Sequence, residues 1–310
     1  MTAYVLRRVL MTAPVVLGIL FVTFLMKALI PADAVLAQYM GAVSEERAAE
    51  AMAQMRAKYG LDDPWPVQFL TYVGDIARGD LGESIRTRQP VIDEIGFRYW
   101  NTVLLTLASL VVALVVGLST GIASAYWKGT WIDDGAMAVG LAGISMPAFF
   151  FGLVLIFVFA VQLQWLPVIN RGGLQGLILP ALSLGIIEAA PISRVTRASM
   201  VQVLEQDFIK AIRAKGVPER AVVLRHALPN ALLSILTILG LQIGGLLGGA
   251  FIIEVVFGWP GIGELAVKAI AWRDFVILQA IILVSAITYV LVNLVIDILY
   301  LWADPRVKLA

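Results

Sequence analysis

Four stretches of this chain, at 101–125, 135–170, 227–253 and 275–296, run without a single Asp, Glu, Lys or Arg. Each is longer than the about 20 residues with which a helix rising 1.5 Å per residue crosses roughly 30 Å of hydrocarbon. Lipid offers no partner to a backbone N–H or C=O, so stretches of this length satisfy those groups internally, as helices. Composition agrees. The chain is 60% apolar and only 15% charged, where a soluble domain carries about 25% charged residues, and its mean hydropathy is +0.89. The net charge of +1 gives no basis for binding nucleic acid, and with no cysteine there is no disulfide or thiolate site. His226 is the single histidine, so a multi-histidine metal centre is excluded and no catalytic set is expected.

The expected fold is all-α, a polytopic membrane protein with six transmembrane helices at about 9–30, 101–125, 136–162, 177–196, 230–256 and 275–302. For the first of these a cleaved signal peptide competes, since Ala32-Asp33-Ala34 mimics a cleavage site. We read it as a membrane anchor behind Arg7 and Arg8, with Lys27 reaching to the interface. Met146-Pro147 reads as a kink within the third span. Residues 31–98 are polar, with seven Lys/Arg and eleven Asp/Glu, and are expected to pack as an extracytoplasmic cap. An amphipathic helix is predicted over 44–59, from Ser44 as N-cap to Gly60 as stop. Asp62-Asp63-Pro64 and Gly79-Asp80-Leu81-Gly82 are turn chemistry. The domain plan is therefore a first helix at 1–30, the cap at 31–98, a five-helix core at 99–302 and a tail at 303–310. Trp100, Trp127, Trp131, Trp165, Trp259, Trp272 and Trp302 fall near the predicted span ends, where indole prefers to sit.

Lys and Arg in short loops set orientation. With the N-terminus in the cytoplasm, twelve lie inside (Arg7, Arg8, Lys128, Arg194, Arg197, Lys210, Arg213, Lys215, Arg220, Arg225, Arg306 and Lys308) against three outside (Arg171, Lys268 and Arg273). Both termini are thus expected in the cytoplasm.

The informative segment is the connection at 199–229, between the fourth and fifth spans. A hairpin between membrane helices needs only a few residues, and this one uses about thirty, in a pattern. Met200, Leu204, Phe208 and Ile212 recur at every fourth position and predict one helical face. Gly216 ends that helix, and Pro218 is placed to open the next. Val217, Ala221, Leu224 and Leu228 form a second stripe, and Pro229 closes the piece before the fifth span. Two short amphipathic helices at a glycine corner fit a docking element for a soluble partner, or a pair of helices lying among lipid headgroups.

At these residues the chain resembles the inner-membrane permeases of binding-protein-dependent ATP-binding-cassette importers, in the branch that carries dipeptides, oligopeptides, glutathione and nickel. The stretch Asp207-Phe208-Ile209-Lys210-Ala211-Ile212-Arg213-Ala214-Lys215-Gly216-Val217-Pro218-Glu219-Arg220 looks like that family's cytoplasmic signature loop, and Leu224-Arg225-His226-Ala227-Leu228-Pro229-Asn230-Ala231 like its continuation. The general pattern opens with Glu-Ala-Ala six residues before the glycine; here those positions are Lys210, Ala211 and Ile212, a departure common in the peptide branch. Gly143-Ile144-Ser145-Met146-Pro147, Phe257-Gly258-Trp259-Pro260-Gly261-Ile262-Gly263 and Asp304-Pro305-Arg306 fit too, so the resemblance covers the whole chain. At Pro31-Ala32-Asp33 the family usually has glycine between proline and aspartate.

The resemblance implies a type I importer permease fold that forms half of a translocation path. It implies coupling to ATPase subunits through Asp207, Lys210, Ala211, Arg213, Ala214, Lys215, Gly216, Val217, Pro218, Arg220, Arg225 and His226. It also implies a second, different permease as heterodimer partner, two ATPase subunits that hold ATP and magnesium, and an external solute-binding protein. This chain has no Gly-x-x-x-x-Gly-Lys-[Ser/Thr] loop to cradle a nucleotide itself. Candidates for the path or its gate are Ser145, Met146, Pro147, Glu188, Gly244, Gly248, Trp259, Pro260 and Gly261. Gly240, Gly244 and Gly248 would let helices approach closely, either toward a partner permease or within the subunit. Glu188, near mid-span, either lines the path or pairs internally, whereas Glu254 and Asp297 lie at span ends and read as structural. Gly117-Leu118-Ser119-Thr120-Gly121 matches a nucleophile elbow, but that motif needs a strand–turn–helix and here falls in a span. An ion-coupled secondary transporter is the alternative; it would need paired interrupted helices, of which the sequence gives no convincing sign.

Overall fold

The computed structural model describes residues 2–29, 63–167 and 173–303. The expected helix at 44–59 and the tail at 304–310 lie outside them, as do the side chains of Lys27, Asp297 and Trp302. Helix α1 spans Thr2–Leu29, α2 Trp65–Ala77, α3 Val91–Tyr126, α4 Trp131–Ser145 and α5 Ala148–Leu155, the last continuing as π-helix over Ile156–Gln162. Next come α6 (Leu174–Leu204), α7 (Asp207–Ala214) and α8 (Glu219–Ala221), which runs on as π-helix over Val222–Ala227. Helices α9 (Leu228–Phe257), α10 (Ile262–Trp272) and α11 (Phe275–Ala303) complete the described chain.

Two compact units divide it. One is built on Arg98–Glu264 with the part of α11 from Leu291 on, the other on Thr2–Phe97 with Leu265–Val290. In the second unit Phe24 packs edge-on against Phe69 and Trp65, and Thr23 shares a 3.0 Å hydrogen bond with the Tyr72 hydroxyl, so α2 is fastened along α1. There too Asp274 accepts 2.6 Å from Ser84 Oγ and 3.2 Å from the Arg86 N–H, and the Arg86 guanidinium lies 4.2 Å over the Trp272 ring. The predicted Gly79–Gly82 turn is present, with φ +83° and +86° at its two glycines and an Asp80 carboxylate accepting from the Gly82 N–H at 2.8 Å.

In the first unit α6 is central, packing on α4, α5 and most extensively on α9. The core of that contact is Leu177, Leu184, Leu246, Ala250, Ile253 and Phe257. Helix α3 crosses α6 at three glycines. A Cβ on Gly117 would meet the Ala189 carbonyl and Ile192 at 2.8 Å, one on Gly121 the Ser193 carbonyl at 2.6 Å, and one on Gly185 the Ser109 carbonyl at 2.6 Å. The elbow-like Gly117–Gly121 motif therefore stands on a helix and serves close packing, with the Thr120 hydroxyl 2.9 Å from Ser193 Oγ. The α9 glycines do otherwise. A Cβ on Gly240 would meet Ile296 of α11 at 2.9 Å, whereas Gly248 faces open space.

Three helices are long and apolar enough to cross a membrane, Val91–Tyr126, Leu174–Leu204 and Phe275–Ile296, and bent pairs raise the number to five among the described residues. The expected first span is a shorter apolar helix, Leu10–Met26. Across the expected third span Met146 and Pro147 are both extended, so the kink is a complete break. Proline removes a helical donor and drives the residue before it out of the helical region. Helix α3 begins at Val91 rather than near Asn101 because its first turns are packed, with Val91 0% and Ile95 2% exposed. The planned boundary at 98–99 thus falls inside a continuous helix.

Candidate functional site

The connection between the two central helices is shorter and better anchored than its sequence pattern implied. Helix α6 continues to Leu204, so Met200 and Leu204 belong to it and the predicted four-residue stripe is divided between α6 and α7. Pro218 is the N-cap of α8, its carbonyl accepting from Ala221 (2.8 Å) and Val222 (3.1 Å). Pro229 is the second residue of α9, which follows the π-helical stretch without a break, and the helix runs through it to a 54° bend between Leu232 and Ser234. The buried set is Met200, Val203, Ile209, Val222, Val223 and Ala227, packed under Ala125 of α3. Phe208 and Leu224, members of the two predicted stripes, are 38% and 43% exposed. The wider turns of the π-helix explain the second shift, since they move the inward face off a 3.6-residue period.

The corner is held as the sequence indicated. Gly216 has φ +77°, its N–H reaches the Arg213 carbonyl at 2.9 Å, and a Cβ there would touch nothing within 4 Å. Arg213 closes the hairpin on Glu219 through two hydrogen bonds of 2.5 and 3.1 Å, and these hold the Glu219 carboxyl below its ordinary range. Lys210 bonds Asp207 at 2.8 Å. Asp207, Lys210, Ala211, Arg213, Ala214, Lys215, Gly216, Pro218, Arg220 and Arg225 are exposed, and Val217 and His226 half-buried. The segment thus has one face sunk into its own subunit and one face bare.

Beside it lies a cluster that sequence reasoning missed. Asp133, 2% exposed at the start of α4, accepts from Arg197 Nε and Nη2, both at 2.6 Å, from the Gly129 N–H at 3.0 Å and from Ser124 Oγ. The Arg197 guanidinium holds its carboxyl far below the usual carboxylate range against the opposing effect of burial. The pair ties the α3–α4 corner to the last turns of α6, and Lys128 adds an exposed 2.7 Å bridge to Glu205 just past that helix. Asp133-Asp134 in a helix's first turn was the signal available, but it reads as a dipole preference and names no partner.

The glycine-rich turn after α9 is built inward. Gly258 (φ +60°) ends α9, and the chain bends by 78° into α10. Glu254, 0% exposed, accepts from Thr102 Oγ1 at 2.5 Å and from the N–H groups of Gly263 (2.7 Å) and Glu264 (3.2 Å), so it caps α10 from within α9. Thr102 Oγ1 in turn accepts from the Ile262 N–H at 2.9 Å. A Cβ on Gly261 would overlap the Glu254 carboxylate. Trp259 is not interfacial as expected: it is 4% exposed, its Nε1 donates to the Asn101 carbonyl at 2.9 Å, and Asn101 donates to the Pro260 carbonyl at 2.9 Å. Trp259 and Gly261 are therefore interior residues that shape the turn, with Pro260 half-buried beside them. Thr102→Val keeps the shape and removes a donor and an acceptor, at an expected cost of about 1–3 kcal/mol. Thermal unfolding of the purified assembly checks this; an unchanged midpoint would argue that water replaces the hydroxyl.

Of the remaining path candidates, Ser145 and Pro147 are exposed at the α4–α5 break with Met146 half-buried, and Gly244 is half-buried one turn from exposed Gly248. Glu188 is half-buried at the middle of α6 and accepts 2.5 Å from Gln242 Nε2 on α9.

Residues 113–309 match the family of binding-protein-dependent transport system inner membrane components, and residues 1–107 match its N-terminal counterpart. The chain belongs to this family. The permease is 39% identical to the dipeptide transport system permease protein DppB of Alkalihalophilus pseudofirmus, over 99% of this chain and 100% of that one. It is 41% identical to the glutathione transport system permease protein GsiC of Escherichia coli, over 99% of each. Its fold is shared with a chain of the inward-facing MetNI methionine ABC transporter, at a TM-score of 0.56 and 17% identity over 68% of this chain and 96% of that one. The permease is an integral inner-membrane subunit of an ATP-binding-cassette importer, with the type I permease fold, and ATP hydrolysis resides in separate subunits. It works with ATPase and solute-binding partners.

Proposed function

We propose that this permease moves di- or oligopeptides, or glutathione, inward across the cytoplasmic membrane. It pairs with a second, non-identical permease and with two ATPase subunits that hold ATP and magnesium. Relatives named for dipeptides and glutathione, each aligned over the whole chain, support this substrate class. The observation that carries the mechanism is the two-faced segment at 207–227, buried through Ile209, Val222 and Ala227 and exposed at ten of twelve coupling positions. The bare face, with Lys210, Arg213, Lys215, Arg220 and Arg225, docks in a cleft of the ATPase. The buried face transmits the ATPase's closure to α6 and α9, which shift between two arrangements that ATP and the docked binding protein favour differently. Ser145–Pro147, Glu188, Gly244 and Gly248 contribute to the path or its gate, while Trp259, Pro260 and Gly261 keep the outer turn rigid. Both termini lie in the cytoplasm, in keeping with the Lys/Arg asymmetry of the short loops.

Reconstitution in proteoliposomes with both permeases, both ATPases and the binding protein tests this. Labelled dipeptide is expected to accumulate only with ATP and binding protein present, at a rate unaffected by dissipating proton and sodium gradients. Uptake by the permeases alone, driven by an ion gradient, would overturn the proposal.

A further inference from the structure

Glu188 is the fifteenth of 31 residues in α6, and Gln242 the fifteenth of 30 in α9, so their 2.5 Å contact joins the centres of two membrane helices. A carboxylate at that depth is expensive unless it meets water, protein donors or a cation, and it marks a working position by default. Gln242 is its hydrogen-bond donor, and among the described residues no Lys, Arg or His forms an ion pair with it. Glu188 remains half-exposed. Gln242 donates an amide N–H to Glu188, and the same amide carries a carbonyl oxygen that can accept beside it. A mid-membrane carboxylate with no basic partner among the described residues suits a positively charged N–H donor, such as a primary ammonium.

We propose that Glu188, with Gln242, is a station for the amino-terminal ammonium of the solute as it crosses the membrane. This rests on the peptide reading above, since every unmodified peptide carries such a group. Charge-assisted hydrogen bonds of this kind give roughly a tenfold preference or more.

The test uses the reconstituted full importer and compares a dipeptide with its N-acetylated form, each presented on binding protein loaded to saturation. Wild type is expected to take up the free-amine peptide about tenfold faster. Glu188→Gln is expected to bring the ratio of the two rates within about twofold, and Glu188→Asp to keep part of the preference. A ratio unchanged in Glu188→Gln overturns the inference while leaving the peptide reading intact. Loss of the second permease from purified Glu188→Gln complexes also overturns it, and assigns Glu188 to assembly. Wild-type uptake of neither peptide sinks the peptide reading first.

Discussion

Gly216→Val is expected to lower ATP-driven uptake by at least about tenfold while the ATPases continue to hydrolyse ATP. A residue with a Cβ held at φ +77° pays about 1–2 kcal/mol, more when β-branched, and 1.4 kcal/mol is a factor of ten in an equilibrium. A Cβ at this position touches nothing within 4 Å, so packing around the corner is undisturbed. The cost falls on the backbone turn that aims α7 and α8, and the bare face loses its shape while the buried face stays anchored by Ile209 and Val222. Gly216→Asn is the control, because asparagine visits the left-handed region far more readily, and it should keep most of the uptake. Normal transport by the valine variant would remove the corner from the coupling mechanism.

The second large effect is expected at Arg197→Ala, a loss of about 3 kcal/mol in the stability of the assembly. Breaking a buried pair leaves the surviving charge uncompensated, at about 3–5 kcal/mol, and the 29% exposure of Arg197 argues for the low end. A carboxyl held below its ordinary value, as Asp133 is, contributes stability that is complete above the unfolded value and fades only as pH falls through the folded one. The wild-type pair therefore contributes a constant amount from about pH 8 to about pH 5. The variant behaves differently. Without Arg197, burial raises the Asp133 carboxyl, so the variant should recover stability as the pH is lowered across the same range. Replacing both partners, Asp133→Asn with Arg197→Leu, should restore most of the loss, since it removes the uncompensated charge. Thermal midpoints at two pH values measure all three, and a single variant as stable as wild type would show that the pair carries nothing.

What could be read beforehand follows from the range of each interaction. The Gly216 corner was legible because a left-handed position demands a particular residue, and the residue itself is the sign. The inward faces of the connection were read less well. A regular helical period places Phe208 and Leu224 on the same stripes as Met200 and Leu228, whereas a helix end at Leu204 and a π-helical stretch at Val222–Ala227 turn them outward. Trp259 near a span end looked interfacial, and Glu254 looked like an end charge. Each is buried because Asn101 and Thr102, more than 150 residues earlier, supply the complementary atoms.

Sequence by itself determined that this chain is embedded in a membrane, roughly where its helices run, and that a glycine-cornered segment joins α6 to α9. Lipid leaves the backbone no alternative partner, so apolar length alone decides the first two points, and the third is written in adjacent residues. Only the tertiary structure decided that Glu254 caps α10, that Arg197 holds Asp133 across 64 residues of chain and that Gln242 meets Glu188 across 54. Such pairings depend on which helices lie side by side, and side-chain contacts between distant segments leave no periodic trace in the order of residues.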